Sequence, residues 1–338
     1  MNNNKGVVIM VVLWVFIVLA LIAWGLSRRS SIEVSVAQTY QGKVISYAAA
    51  RAGINYAIDL LQRTPSTKDT LYSPGVTFDT TKTPADIFSH IATGPHSYAQ
   101  IIWPAVNYSL TGINLEYGLR DEDGKININA IGAANYQILS ALLMLKGLSQ
   151  RDADTLSMAV INYTGINAAA GASNNFSLDL NGPLLKPKGR HYENLLELLE
   201  VSGMTKDIFA KIKDDITVYG DDQTGLWVNT DTANNEVIQA ITNAAVRLNP
   251  SLNAADLVSE AYTVRDGADG QSFTSDDGVA SVANVNDPNW PQVLQEGISN
   301  YYRARVVGVD TLSGARTVLE AVIHRAQNDT EIISWQKD

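Results

Sequence analysis

The strongest constraint on this chain is its beginning. From Val7 to Gly25 it runs VVIMVVLWVFIVLALIAWG, with no charged residue and no proline. As a helix rising about 1.5 Å per residue, that stretch nearly covers a bilayer hydrocarbon core of about 30 Å. It is too long for the apolar region of a secretory signal. No small-residue cleavage site follows it; Arg28-Arg29 does. The only leader-like punctuation, Lys5-Gly6, stands before the run, and membrane insertion is the expectation. Charge counting does not orient the segment, because Lys5 and the amino terminus oppose Arg28 and Arg29 across it.

Helical periodicity continues past the apolar run. Ile32, Val36, Tyr40, Ile45, Ala49, Ala52, Tyr56 and Leu60 recur at helical steps, and no proline intervenes before Pro65. Val7 to Arg63 is readable as one helix of about 57 residues, roughly 85 Å long. It is equally readable as a membrane anchor followed by a separate core helix. The small residues Ala48, Ala49, Ala50, Ala52 and Gly53 would permit close approach, either to another helix or to the chain's own sheet.

A polar, proline-punctuated loop is expected from Pro65 to about Pro95. Strand-like runs follow, YAQIIWPAVNYSL and GINLEYGLRDEDGKININ, separated by a turn at Thr111-Gly112. Near the end, NYYRARVVGVDTLSGARTVLEAVIHRA reads as two strands around Ser313-Gly314. Tyr302, Ala304 and Val306 alternate there with Arg303 and Arg305, as a half-buried antiparallel pair requires. Between these β regions, Ile131 to Asp215 has a helical pattern, so the chain reads as a β-sheet region carrying a helical insertion. Two stretches within it share a helix-hairpin-helix pattern. One turns at Lys146-Gly147-Leu148 with Ser149 as N-cap and Asp152 three residues on; the other turns at Ser202-Gly203-Met204 with Thr205 as N-cap. GLWVNTDTANNEVIQAITNAA echoes the strand-to-helix passage of the first.

The formal net charge of −10 opposes the phosphate-neutralising surface of a nucleic-acid binder. The hairpins have little basic support: Lys146, Arg151 and Lys206 are offset by Asp152, Asp154, Glu200 and Asp207. A membrane-anchored helix-hairpin-helix DNA-binding protein is therefore the alternative, and no nucleic-acid partner is expected. With no cysteine there is neither a disulfide framework nor a zinc-thiolate site. The loop RDGADGQSFTSDDG gathers Asp266, Asp269, Asp276 and Asp277 among glycines, a composition that suits calcium, though Ala268 and Gly270 break the EF-hand pattern. Asp221-Asp222 and the run Asp121, Glu122, Asp123 are weaker candidates, since Asp-Gly turns need no metal. The four histidines are scattered, and no metalloprotease, nucleophile-elbow or phosphate-loop motif occurs, so no enzyme is expected.

Taken together, these parts resemble the K-type minor pseudopilins (general secretion pathway protein K) of the type II secretion system. KG before VVIMVVLWV resembles the type IV prepilin leader, which prepilin peptidase cuts after the glycine, here Gly6, to leave Val7 as the new terminus. YGLRDEDGKININA resembles the family's lead-in to its α-domain. YENLLELLEVSGMTKDIFAKIKDDITVYG and WVNTDTANNEVIQAI resemble its exit and the return to the sheet.

The resemblance implies an α+β, pilin-like fold: a long N-terminal transmembrane helix packed on an antiparallel sheet, plus an inserted all-α helix-hairpin-helix-like domain. The expected division is a leader over 1–6 and a helix over 7–64. A first pilin-like part covers 65–126, the inserted domain 127–217, and a second pilin-like part 218–338 with the acidic loop 265–278. The resemblance further implies a single-pass inner-membrane protein with its N-terminus cytoplasmic and its bulk periplasmic. It would stand at the pseudopilus tip beside I-type and J-type minor pseudopilins, priming assembly for export of folded proteins. A K-like minor pilin of a type IV pilus is the near alternative. Most pilin-like subunits carry a glutamate where this chain has Val11, and K-type members share the gap. A subunit with none ahead of it has little use for an acid that costs roughly 2.5–3.5 kcal/mol in hydrocarbon. Ala49 and Gly53 are the expected points of close approach to a partner helix, and calcium is the expected ion.

Overall fold

The structure is a computed structural model that describes residues 5–63, 84–104, 115–166, 188–220, 225–267, 270, 293–295, 299–326 and 329–337. Its first element, α1 (Lys5–Arg63), is one unbroken helix of 59 residues. Of the two readings left open by periodicity, the single helix is the one that forms. Every residue from Val7 to Gln41 is exposed; from Gly42 a buried stripe begins, through Ser46, Ala49, Ala50, Gly53, Ile54, Ala57 and Leu61. Steps of three and four keep that stripe on one face.

The expected 65–95 loop is corrected over its described part, where a short helix α2 (Pro84–Phe88) and strand β1 (Ile91–Gly94) form; residues 64–83 lie outside the described residues. Then come β2 (Ser97–Pro104), β3 (Leu115–Tyr117) and β4 (Arg120–Asp121). The expected turn at Thr111-Gly112 lies outside the described residues. A two-residue strand, β5 (Ile126–Asn127), leads into the helical body. Helix α3 (Tyr136–Leu145) turns at Gly147, whose φ of 99° is open to glycine without strain, into α4 (Gln150–Thr164). Ser149 caps α4 as the sequence predicts, its hydroxyl accepting from the Asp152 amide.

The second hairpin is a weaker copy. Its first limb is a single 3-10 stretch, Leu195–Glu200; Gly203 takes the turn at φ 89°, and Thr205 caps α5 (Lys206–Ile212). Asn129, which the sequence offers as an N-cap before the first helix of the domain, does not cap it. Asn127 caps a 3-10 turn over Ile128–Ala130, and Asn129 instead spans the domain, its amide donating to the Tyr192 and Val218 carbonyls.

The chain leaves through β6 (Ile216–Thr217), parallel to β5, but does not return to the sheet at 218 as expected. It forms β7 (Val228–Asn229), α6 (Asn235–Leu248) and α7 (Ala254–Asp266), and then β8 (Leu294–Gln295), which pairs in parallel with β7. Val237, Ile238, Ile241, Ala261 and Leu294 belong to the same buried cluster as Leu139, Leu142 and Ile161. The boundary at 217/218 is therefore corrected: the helical domain reaches to about β8, because α3 needs α6 to cover its apolar face.

Only then does the chain rejoin the sheet, through β9 (Tyr301–Asp310), β10 (Arg316–Ala326) and β11 (Asp329–Lys337). The antiparallel order is β1-β2-β9-β10-β11, with β3 on β2 and β4 on β9. The β9–β10 hairpin is as predicted, with Tyr302, Ala304 and Val306 fully buried and Arg305 paired with Glu320 across the strands. Strand β11 extends the sheet beyond what the sequence pattern suggested. A second core, separate from the helical one, lies between α1 and this sheet: Ile54, Leu61, Ile101, Tyr302, Val306 and Leu319.

Candidate functional site

Two features can carry function here: the length of α1 that projects from its own domain, and the junction where the helical body joins the sheet. The seat of α1 on the sheet is set by glycines. A Cβ at Gly53 would meet Val306 Cγ1 at 2.6 Å and the Ala99 Cβ at 2.8 Å; one at Gly42 would meet Ser313 Oγ at 2.0 Å. Ala49 is 2% exposed. The small residues thus serve approach to the chain's own sheet. That corrects the expectation that Ala49 and Gly53 touch a partner helix, because the sheet already occupies that face. Ala48 is exposed and Ala52 half-buried.

Toward the membrane end, Val7 and Val11 are exposed at 65% and 57%, as are the apolar residues between them. By length and composition α1 can cross a membrane once. Lys5 and Gly6 belong to the helix, and Gly6 precedes the first residue whose exposure is described.

The junction is built on Asp121, Glu122 and Asp123, all buried. Asp121 ends β4. Its Oδ1 accepts from the Asp123 amide at 2.8 Å, and its Oδ2 from the Thr232 hydroxyl at 2.6 Å and from the Ser299 hydroxyl. Asp123 Oδ2 accepts from the amides of Asn300 and Tyr301, at 2.6 and 3.3 Å. Glu122 faces Lys125 Nζ at 2.6 Å and Arg303 Nε at 2.7 Å, and also accepts from the Thr217 hydroxyl. One tripeptide therefore ties together four passages of chain: the lead-in, the β6 exit, the β7 turn and the start of β9. Burial alone would raise the Glu122 carboxyl; Lys125 and Arg303 together outweigh it and hold it at about 2. Sequence reasoning ranked this run low as a metal candidate and missed its role. The available signal was Arg303 and Arg305, whose alternation on β9 demanded anionic partners.

A second charged link lies inside the helical body. Lys146, in the hairpin turn, pairs with Asp215 at 2.8 Å and with Glu236. Burial lowers the Lys146 pKa but the two carboxylates more than reverse it, while burial is the main reason Asp215 is raised. The hairpin's lysine is thus spent internally, not offered to a phosphate backbone.

Of the proposed calcium ligands, Asp269, Asp276 and Asp277 lie outside the described residues, as do Asp221 and Asp222. Asp266 ends α7, and its carboxylate accepts from Nε and Nη2 of Arg265, at 2.7 and 2.9 Å. Arg265 also reaches the Ala233 carbonyl and Asn235. A carboxylate closed over a guanidinium in this way does not fit a calcium shell. Among the described residues, no group of three or more His, Asp or Glu side chains is placed to hold a metal.

No protein-family model matches the chain, and no curated protein matches it in sequence. Its fold is similar to that in the crystal structure of the GspK–GspI–GspJ complex from the enterotoxigenic Escherichia coli type 2 secretion system. The TM-score is 0.56 at 14% identity, with 92% of this chain and 99% of the matched chain covered. At that identity the likeness establishes the fold, a pilin-like α+β architecture with a long N-terminal helix on an antiparallel sheet and an added helical domain.

Proposed function

We propose that this protein is a non-enzymatic minor pseudopilin of K type that caps the tip of a type II secretion pseudopilus. In that role it primes assembly for export of folded proteins across the outer membrane. Its partners are I-type and J-type minor pseudopilins, and the solved complex with the similar fold contains GspI and GspJ. The observation that carries this reading is α1 itself. It is exposed on every side from Val7 to Gln41, yet continuous with a helix seated in the domain's own core. A helix apolar all round needs lipid, and one that stays exposed beyond it needs other helices.

In this reading prepilin peptidase cuts between Gly6 and Val7 on the cytoplasmic side of the inner membrane, and the domain lies in the periplasm. The helical body, bulky and fixed by the Asp121–Asp123 junction, would obstruct a subunit stacked above it. Val11 in place of an acid suits the same position. Calcium remains part of the proposal only through Asp269, Asp276 and Asp277.

The test is the mass and N-terminal residue of the protein from cells with and without prepilin peptidase, followed by co-purification with the I-type and J-type subunits. A chain beginning at Val7 only when the peptidase is present supports the reading. An intact Met1 in both cases refutes it.

A further inference from the structure

We propose that the Lys146 amine condenses with the Asp215 carboxyl to form an isopeptide bond inside the helical body, with Glu236 as the proton carrier. The proposal is independent of the pseudopilin reading, which stands on α1.

Three elements bring these residues to one point. Lys146 is the C-cap of α3, Asp215 stands directly before β6, and Glu236 lies in the first turn of α6. Backbone bonds fix Asp215 on both sides: its amide donates to the Ile212 carbonyl, and its carbonyl accepts from the Ile126 amide. The side chains of Lys146 and Asp215 are 12% and 3% exposed. Lys146 Nζ stands 2.8 Å from Asp215 Oδ2, and Glu236 closes on the same nitrogen. That Oδ2 is buried and accepts no hydrogen bond from the described residues, so the amine meets it outside hydrogen-bonding alignment. The other oxygen is engaged. Asn234, the N-cap of α6, is oriented by accepting from the Val237 amide, and its Nδ2 donates to Asp215 Oδ1 at 2.7 Å.

A condensation needs a nucleophile against a neutral acid, a donor on the oxygen that gathers charge, and a base beside the nitrogen. Burial foremost, and Glu236 behind it, raise the Asp215 carboxyl against the pull of Lys146 and Asn234. Lys146 keeps its proton at rest, because Asp215 and Glu236 outweigh the effect of burial. Reaction therefore begins with transfer of that proton to Asp215 Oδ2. The freed Nζ lone pair attacks Cγ, and Asn234 holds Oδ1 as it becomes an oxyanion. Glu236 takes a second proton from the nitrogen and passes it to the departing Oδ2 hydroxyl, which leaves as water. One C–N bond forms, one C–O bond breaks, Glu236 ends as a carboxylate, and nothing is oxidised or reduced. Groups held in place this way reach effective molarities of about 10⁵ M or more, which offsets the competition from water.

The buried pair of Lys125 and Glu122 lacks these conditions. Against its burial, Lys125 and Arg303 together hold the Glu122 carboxyl at about 2, and an ionised carboxylate is a poor electrophile. At Lys146 the ratio is reversed, with one cation serving two acids.

The test is the mass of the full chain purified from membranes in detergent. The chain should be lighter by one water than its sequence, and a protease digest should yield a branched peptide joining Lys146 to Asp215. Locating the bond separates it from dehydration at an Asp-Gly pair, which also loses water. Asp215→Asn should give the same branched peptide with loss of ammonia instead. Lys146→Arg, which keeps the ion pair, should give none, and Glu236→Gln should slow the linkage about 10²-fold. An ordinary tryptic peptide ending at Lys146 from the bulk of the folded parent after prolonged incubation would overturn the bond. So would a branched peptide that persists in Lys146→Arg. Equal rates in the parent and Glu236→Gln would overturn the part given to Glu236. None of these outcomes bears on processing at Gly6, so the pseudopilin reading stands or falls separately.

Discussion

Gly308 of β9 lies against Ala50 of α1 at backbone distance. A Cβ on Gly308 would sit 2.3 Å from the Ala50 amide nitrogen and 2.0 Å from the Ser46 carbonyl oxygen. The long helix is held to its sheet by this absence of side chain, together with Gly53 on the helix facing Val306.

Gly308→Ala should therefore lift α1 from the sheet. The expected cost is about 2 kcal/mol or more, because backbone rather than a flexible side chain must yield. Thermal unfolding of the full chain in detergent measures it. Gly314→Asn, in the open β9–β10 turn with nothing within 4 Å, should cost far less. Equal effects at the two sites would mean that the close approach does not hold the helix.

Glu122→Gln should leave Arg303 and Lys125 against a neutral amide in a buried place. Removing one partner of such a group costs about 3–5 kcal/mol. Arg305→Met, which breaks the partly exposed pair with Glu320, should cost about 1 kcal/mol or less. Denaturant midpoints for the two variants would separate the junction from an ordinary strand pair.

The same carboxylate sets an acid limit. Its folded pKa of about 2 lies below its ordinary 4.5, so the unfolded chain binds the proton first as pH falls. The stabilisation is complete above about pH 4.5 and is lost as pH drops toward 2, a change of about 3 kcal/mol. Stability measured across that window should slope in the parent and flatten in Glu122→Gln. An unchanged slope would place the acid sensitivity elsewhere.

Ser149→Ala should cost about 1 kcal/mol by uncapping α4. Thr205→Ala should cost a similar amount at α5, where the Thr205 hydroxyl accepts from the Ile208 amide. Hydrogen exchange in the first turn of each helix is the readout; unaltered protection would show that packing alone sets the helix starts.

Calcium titration of Asp266→Asn should match that of the parent, since Asp266 is closed over Arg265. Any calcium affinity should instead depend on Asp276 and Asp277. A loss of binding in Asp266→Asn would restore Asp266 to the ligand set.

Much of this architecture was legible locally. The apolar start, the caps at Ser149 and Thr205, the turns at Gly147 and Gly203 and the Tyr302–Val306 alternation each announce themselves within a few residues. Their causes are equally local: hydrocarbon solubility, an amide needing an acceptor, a positive φ, a two-residue period. What was missed depended on partners far away in sequence. The assignment of α6 to the helical domain rests on α3, some 90 positions earlier, and a strongly amphipathic helix looks the same whichever core receives it.

The sequence by itself determined that the chain opens on an apolar segment of membrane length, that helical periodicity continues beyond it, that two hairpins with glycine turns follow, and that the chain is acidic and free of cysteine. Tertiary structure alone decided where those pieces meet. It joined the two stretches of α1 into one helix, sent Ala49 and Gly53 to the chain's own sheet, and buried Asp121, Glu122 and Asp123 as a knot between two bodies. The physical reason is that small residues and carboxylates carry no address. A glycine permits close approach to any backbone, and an acid accepts from any donor, so only the folded chain specifies which one arrives.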